Sequence, residues 1–190
     1  MQATHALILA LAVAATVLAC GCTSPVVDPT ANQTNETLTV ESLPIAGVLD
    51  REGNFTTFLQ AFEAAGLVGT IEGPGPYTVF APTDEAFEQF PDAVMEGLFN
   101  DPKGALAEIA LYHMVPGRHT ASEIAANRTI ATVQGNRAPV EADGDEVTVG
   151  GAAVVRTDIP AANGVIHVID AVMIPPDVTL PPEPEENGTG

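Results

Sequence analysis

Asn163-Gly164-Val165-Ile166-His167-Val168-Ile169-Asp170-Ala171-Val172-Met173-Ile174-Pro175 is the stretch whose reading decides the fold. Asn-Gly is a turn signal, and the run from Val165 to Ile174 is almost uninterrupted apolar sequence with many β-branched residues. Continuity of that kind predicts a strand buried on both faces, because a strand with one wet face would alternate. Immediately upstream, Glu146 to Val149 and Ala152 to Arg156 flank Gly150-Gly151, a hairpin signal, and Ala142-Asp143-Gly144-Asp145 marks an earlier turn. The Thr157-Asp158-Ile159-Pro160 segment between these strands reads as a surface loop.

Further upstream the period changes to that of helices. Phe55, Phe58, Leu59 and Phe62 share one helical face behind Asn54, a cap candidate, and Gly66-Leu67 supplies a stop. Asp101-Pro102 is expected to open a second helix with Leu106, Ile109 and Ala110 on its inner face. Thr120-Ala121-Ser122-Glu123 has capping-box spacing. Helices followed by a late run of strands predict an α+β domain and not an alternating parallel one.

The two ends lie outside this pattern. Ala6 to Ala19 is uncharged and apolar, and shorter than the about 20 residues a membrane-spanning helix needs, so it reads as the core of a signal peptide. It runs into Val17-Leu18-Ala19-Cys20-Gly21-Cys22, similar to a lipoprotein signal, with the lipid expected on Cys20, which has the Val-Leu-Ala approach, and Cys22 as the alternative. The expected organisation is a signal over 1–20, a Thr/Asn/Pro-rich stalk over 21–39, a folded domain over 40–179 and an acidic tail over 180–190. N-x-[ST] sequons at Asn32, Asn35, Asn54, Asn127 and Asn187 are candidate glycosylation sites. The protein is thus expected on the outer face of the cytoplasmic membrane or in the envelope, lipid-anchored.

Charge and residue usage narrow the chemistry. The net charge is −19, with every Lys and Arg at or after Arg51, so nucleic acid is an improbable partner. No cysteine follows Cys22, which leaves the domain without disulfide or thiol chemistry. Ser42 and Ser122, the serines of the expected folded domain, lie in no nucleophile elbow, and the histidines have no metal-ligand spacing, so neither catalysis nor a cofactor or metal is expected. Asp84 with Glu85 occupies a helix-cap position and Asp143 with Asp145 a hairpin tip. Each is better explained by capping or solvation than by chemistry. His113 and His167 stand among apolar neighbours and read as core histidines. His119 follows a turn and reads as solvated.

Three blocks carry identity: Tyr77-Thr78-Val79-Phe80-Ala81-Pro82-Thr83-Asp84-Glu85-Ala86-Phe87, Leu111-Tyr112-His113-Met114-Val115-Pro116-Gly117, and the stretch quoted first. In this order and spacing they resemble the fasciclin domain family, the first and third its signature boxes and the second its Tyr-His motif. The resemblance implies a wedge-like β-sandwich with helices packed along one side, and a non-enzymatic role in adhesion or matrix contact. It also implies binding positions at Tyr112, His113, Asp158 and Ile159. Integrin contacts are attributed to the corresponding positions of animal members, whereas a lipoprotein-type leader points to a prokaryotic host without integrins. The expected partner is therefore a surface protein or polysaccharide of the envelope. The alternative is a small apolar or glycan ligand in a cleft near the Tyr-His block.

Overall fold

Strand β7 (Gly164–Ile169) lies between two other strands and is buried at every residue. It runs parallel to β1 (Tyr77–Pro82) and antiparallel to β6 (Ala152–Ala161). The computed structural model describes residues 42–144 and 146–181. The leader, the stalk, Cys20, Cys22, Asn32, Asn35, Asp145, Asn187 and residues 182–190 of the tail lie outside them; Leu180, expected in the tail, packs against the cluster that holds Leu98 and Leu106.

Side chains alternate across these central strands and fill two different cores. Val79, Ala81, Ile166 and Val168 face one cluster, where helices α1 (Ile45–Glu52), α2 (Thr56–Ala64) and α3 (Val68–Ile71) contribute Leu49, Phe58, Phe62 and Ile71. Phe80 and Ile169 face the other, with Tyr112, Val115, Ile124, Val140 and Val149. Both faces of β1 and β7 therefore need apolar residues, which is why their sequences do not alternate. A third cluster joins Ala61 of α2 to α5 (Asp92–Asn100) and α6 (Ala105–Tyr112) through Val94, Leu98, Leu106 and Ile109.

The remaining elements are α4 (Asp84–Phe87), β2 (Met114–Pro116), α7 (Ala121–Ala125), β3 (Thr129–Ala131), β4 (Arg137–Asp143) and β5 (Glu146–Val149). The seven strands form one sheet in the order β2-β1-β7-β6-β5-β4-β3. Just past β3, the Val133 amide donates to the Met114 carbonyl of β2 at 2.7 Å, so the two ends of the order meet and the sheet curls into a near-barrel. The fold is α+β, as the sequence pattern implies.

Local signals are realised where they are self-contained. Gly66, in the left-handed region at φ 73°, ends α2 with Leu67 N–H donating to Phe62 O at 2.8 Å and Gly66 N–H to Glu63 O at 3.0 Å. Thr120 and Glu123 form the complete capping box of α7.

Four local expectations need correcting. Asn54 does not cap α2; the Asp84 carboxylate does, accepting from Thr56 N–H at 3.2 Å and Thr57 N–H at 2.8 Å. Asp101-Pro102 closes α5 in a turn, and α6 begins behind Gly104. Strand β7 stops at Ile169, because Asp170 turns to β6: its Oδ1 accepts from Ala153 N–H at 2.8 Å and its own N–H donates to Ala153 O. Strand β6 continues to Ala161, which places Asp158 and Ile159 within a strand and not in a loop.

Candidate functional site

Strand β6 joins β5 only through Ala152 and Ala153, so from Val154 onward one of its edges has no strand partner among the described residues. Its pairing with β7 is also irregular, with register shifts between Val154 and Arg156 and between Arg156 and Ile159. The bulges leave Val155, Arg156, Thr157 and Asp158 exposed in succession. Val155 is 55% exposed, and the one other exposed large apolar side chain among the described residues is Ile174. Arg156 reaches Glu52 of α1 at 2.6 Å.

Asp158 has φ 56°, the left-handed region that Asp tolerates better than most residues. Two contacts hold it there. Its Oδ1 accepts from Ala121 N–H, the first amide of α7, at 3.1 Å, and its own N–H donates to His167 Nδ1 at 3.3 Å. His167 on β7 is fully buried and stacks on Phe80 with centroids 5.6 Å apart. Its Nε2–H donates to His119 O at 3.0 Å, which fixes the neutral tautomer. Burial pushes the His167 pKa below its ordinary value, against opposing contributions from the His119 carbonyl and the Asp158 charge. The chain of bonds continues from His119 N–H to Thr78 Oγ1 at 2.9 Å, and from the Thr78 hydroxyl to Gly117 O at 2.9 Å. The exposed bulge is thus anchored through β7 to β1. His119 itself is half-buried, with Nε2 3.2 Å from Pro116 O, and not free in solvent as its turn position implies. Ile159, next to Asp158, turns inward and packs against the first core cluster.

Tyr112 and His113 belong to the interior. Tyr112 is 2% exposed, with its hydroxyl 3.4 Å from Arg137 O. His113 is fully buried: Nδ1–H donates to Ile109 O at 2.7 Å, and Nε2 accepts from Met173 N–H at 3.0 Å. Both ring nitrogens are used, and burial lowers its pKa to about 4, so the ring is neutral at ordinary pH. It ties the end of α6 to the segment after β7. Beside it, Phe58, Phe87, Leu98 and Val172 enclose an apolar space of about 10 Å³. That is room for roughly one water, far below the 300–1,000 Å³ of a typical ligand pocket.

Asn54 and Asn127 are exposed, the latter donating from Nδ2 to Glu123 O at 2.7 Å. Among the described residues no group of three or more His, Cys, Asp or Glu could hold a metal, and no helix is long and apolar enough to cross a membrane. Sequence reasoning missed Val155 and the role of His167, since neither bulge has a local signature. It also missed Asn163 as more than a turn residue. The Asn163 side chain accepts from Ile45 N–H at 2.8 Å and donates to Ile71 O and Gly73 O at 2.9 Å, locking α1 and α3 to the β6–β7 hairpin.

Comparison with known proteins agrees with this architecture. A 36% identity over 143 residues, covering 75% of this chain and 79% of the relative, links it to protein sll1483 of Synechocystis. Human periostin is 34% identical over 139 residues, 73% of this chain but only 16% of periostin. The cell surface glycolipoprotein MPB83 of Mycobacterium bovis is 38% identical over 110 residues, 58% of this chain and 48% of that protein. In structure, a FAS1 domain pair from the insect cell adhesion molecule fasciclin I superposes with a TM-score of 0.52 at 21% identity, over 65% of this chain and 46% of that one. The fasciclin domain family model matches residues 53–175, the span holding all seven strands and the β6 bulge, and the chain belongs to the fasciclin domain family.

Proposed function

We propose that this protein is an exported, lipid-anchored interaction module that contacts a surface protein or polysaccharide of the envelope through the exposed bulge of β6. Fasciclin domains serve cell adhesion and extracellular interaction in general, which supports a binding role without catalysis. The observation that carries the reading is Asp158: a non-glycine residue at φ 56° on an exposed run, fixed by the bond it donates to a buried histidine and the one it accepts from a helix start. Holding a charged side chain in a disfavoured conformation costs stability, and such positions cluster at functional surfaces. Contact through side chains fits better than strand addition, because two bulges, Arg156 and Pro160 blunt the open edge of β6.

Within this reading Tyr112 and His113 act from below as scaffold, and Asp158 with the adjoining Val155 to Thr157 meets the partner. Ile159 anchors the contact run to the core. The small space beside His113 gives no support to a small-ligand cleft there. Membrane attachment would come from a lipid on Cys20 or Cys22, and the relative named a cell surface glycolipoprotein supports that arrangement. The test is capture: the full chain, immobilised and exposed to solubilised envelope from the source cell, should retain one protein or one polysaccharide. Retention of neither would count against a surface-interaction role.

A further inference from the structure

Where α1, α2 and α3 meet they leave an open groove of about 430 Å³, within the range of ligand-binding clefts. Half-buried Leu59 and Val68 form its apolar floor, with buried Phe62 and Ile71 beneath them. Its ionisable lining is entirely acidic and comes from all three helices: Asp50 from α1, Glu63 from α2 and Glu72 at the end of α3, each exposed. A smaller depression of about 140 Å³ extends the furrow along Asp50, Leu59 and Glu63 towards Gly53. No basic residue lines either part.

An apolar floor under a ring of carboxylates selects for a particular complement. The floor gains by covering an apolar side chain, while the carboxylates attract cations and repel anions over several ångströms. The occupant that satisfies both is a peptide segment with an apolar anchor flanked by Lys or Arg. The chain itself supplies no such segment upstream, because no Lys or Arg precedes Arg51. A second copy is a poor match as well, with 6 basic against 25 acidic residues. We propose that the α1–α2–α3 groove is a second docking surface, distinct from the β6 bulge, for a basic amphipathic segment of another protein.

The test uses the full chain and a fluorescein-labelled peptide alternating Leu pairs with Lys, followed by anisotropy at physiological ionic strength. A peptide with Ser in place of every Leu carries the same charge. The Leu/Lys peptide should bind saturably and the Ser/Lys peptide at least about tenfold more weakly, a difference of about 1.4 kcal/mol. Asp50→Lys with Glu63→Lys should weaken the Leu/Lys peptide by roughly tenfold or more. Glu141→Lys with Glu146→Lys, on the β4–β5 hairpin, makes the same change in net charge and should alter binding by less than about twofold, since distant exposed charges are screened. Thermal melts check that each variant is folded. Absence of binding, equal binding of the Ser/Lys peptide, or equal weakening by the hairpin pair would each overturn the proposal.

Discussion

His113 shows how a residue in a family motif can serve the interior of the fold. Fully buried and neutral, it accepts from Met173 and donates to Ile109. Its folded pKa of about 4 lies below the ordinary 6.5. The unfolded chain therefore takes up a proton on acidification before the folded chain does. This contribution to stability is complete above pH 6.5 and is lost as pH falls towards about 4, a loss of roughly 3 kcal/mol at 1.36 kcal/mol per unit. Urea midpoints measured across that window should fall in the wild type and fall less in His113→Gln. An equal slope in both would assign the acid sensitivity elsewhere. Burial of His113 was legible from its apolar neighbours; its second hydrogen bond was not, because Met173 lies 60 residues away. Asp158 is the opposite case. Its exposure was legible, but its positive φ depends on a bulge and on His167, which no neighbouring residue announces.

At the scale of elements, the chain's own spacing foretold helix ends that close on themselves and misjudged those that close across the fold. Gly66-Leu67 and Thr120-Glu123 satisfy backbone groups within a few residues. The start of α2 is satisfied instead by Asp84, 27 and 28 residues downstream, while Asp84 N–H donates to Asn54 O. Asp84 thereby couples the first signature block to the second helix. Asp84→Ala should destabilise by about 1–2 kcal/mol, the cost of losing a helix cap, whereas Asn54→Ala should stay within about 0.5 kcal/mol. Chemical denaturation of the two variants checks the ranking, and the reverse order would restore Asn54 as the cap. Strand β6 escaped full recognition for a related reason: Thr157-Asp158-Ile159-Pro160 has a loop's composition, and only pairing with β7 makes it a strand.

For the whole molecule, the three motif blocks were informative because they build the centre. They supply β1, the α6–β2 junction and β7, and β2, β1 and β7 are neighbours in the sheet. Their side chains fill both cores, so their pattern fixes the architecture more tightly than the peripheral β3–β5 strands do. The proposed membrane attachment is a separate matter and would rest on a lipid at Cys20 or Cys22. Replacing both with Ala should move the protein from the membrane fraction to the medium, and continued sedimentation with membranes would indicate an uncleaved helical anchor. The claim that the β6 bulge is the contact face is tested most directly by envelope binding of Asp158→Asn, measured beside its thermal melt. Asn tolerates the left-handed conformation and keeps an acceptor for Ala121 while removing the charge. Binding reduced by about tenfold, with the melting temperature within roughly 3 °C of wild type, is the predicted result. Full-strength binding by a folded Asp158→Asn protein would contradict it.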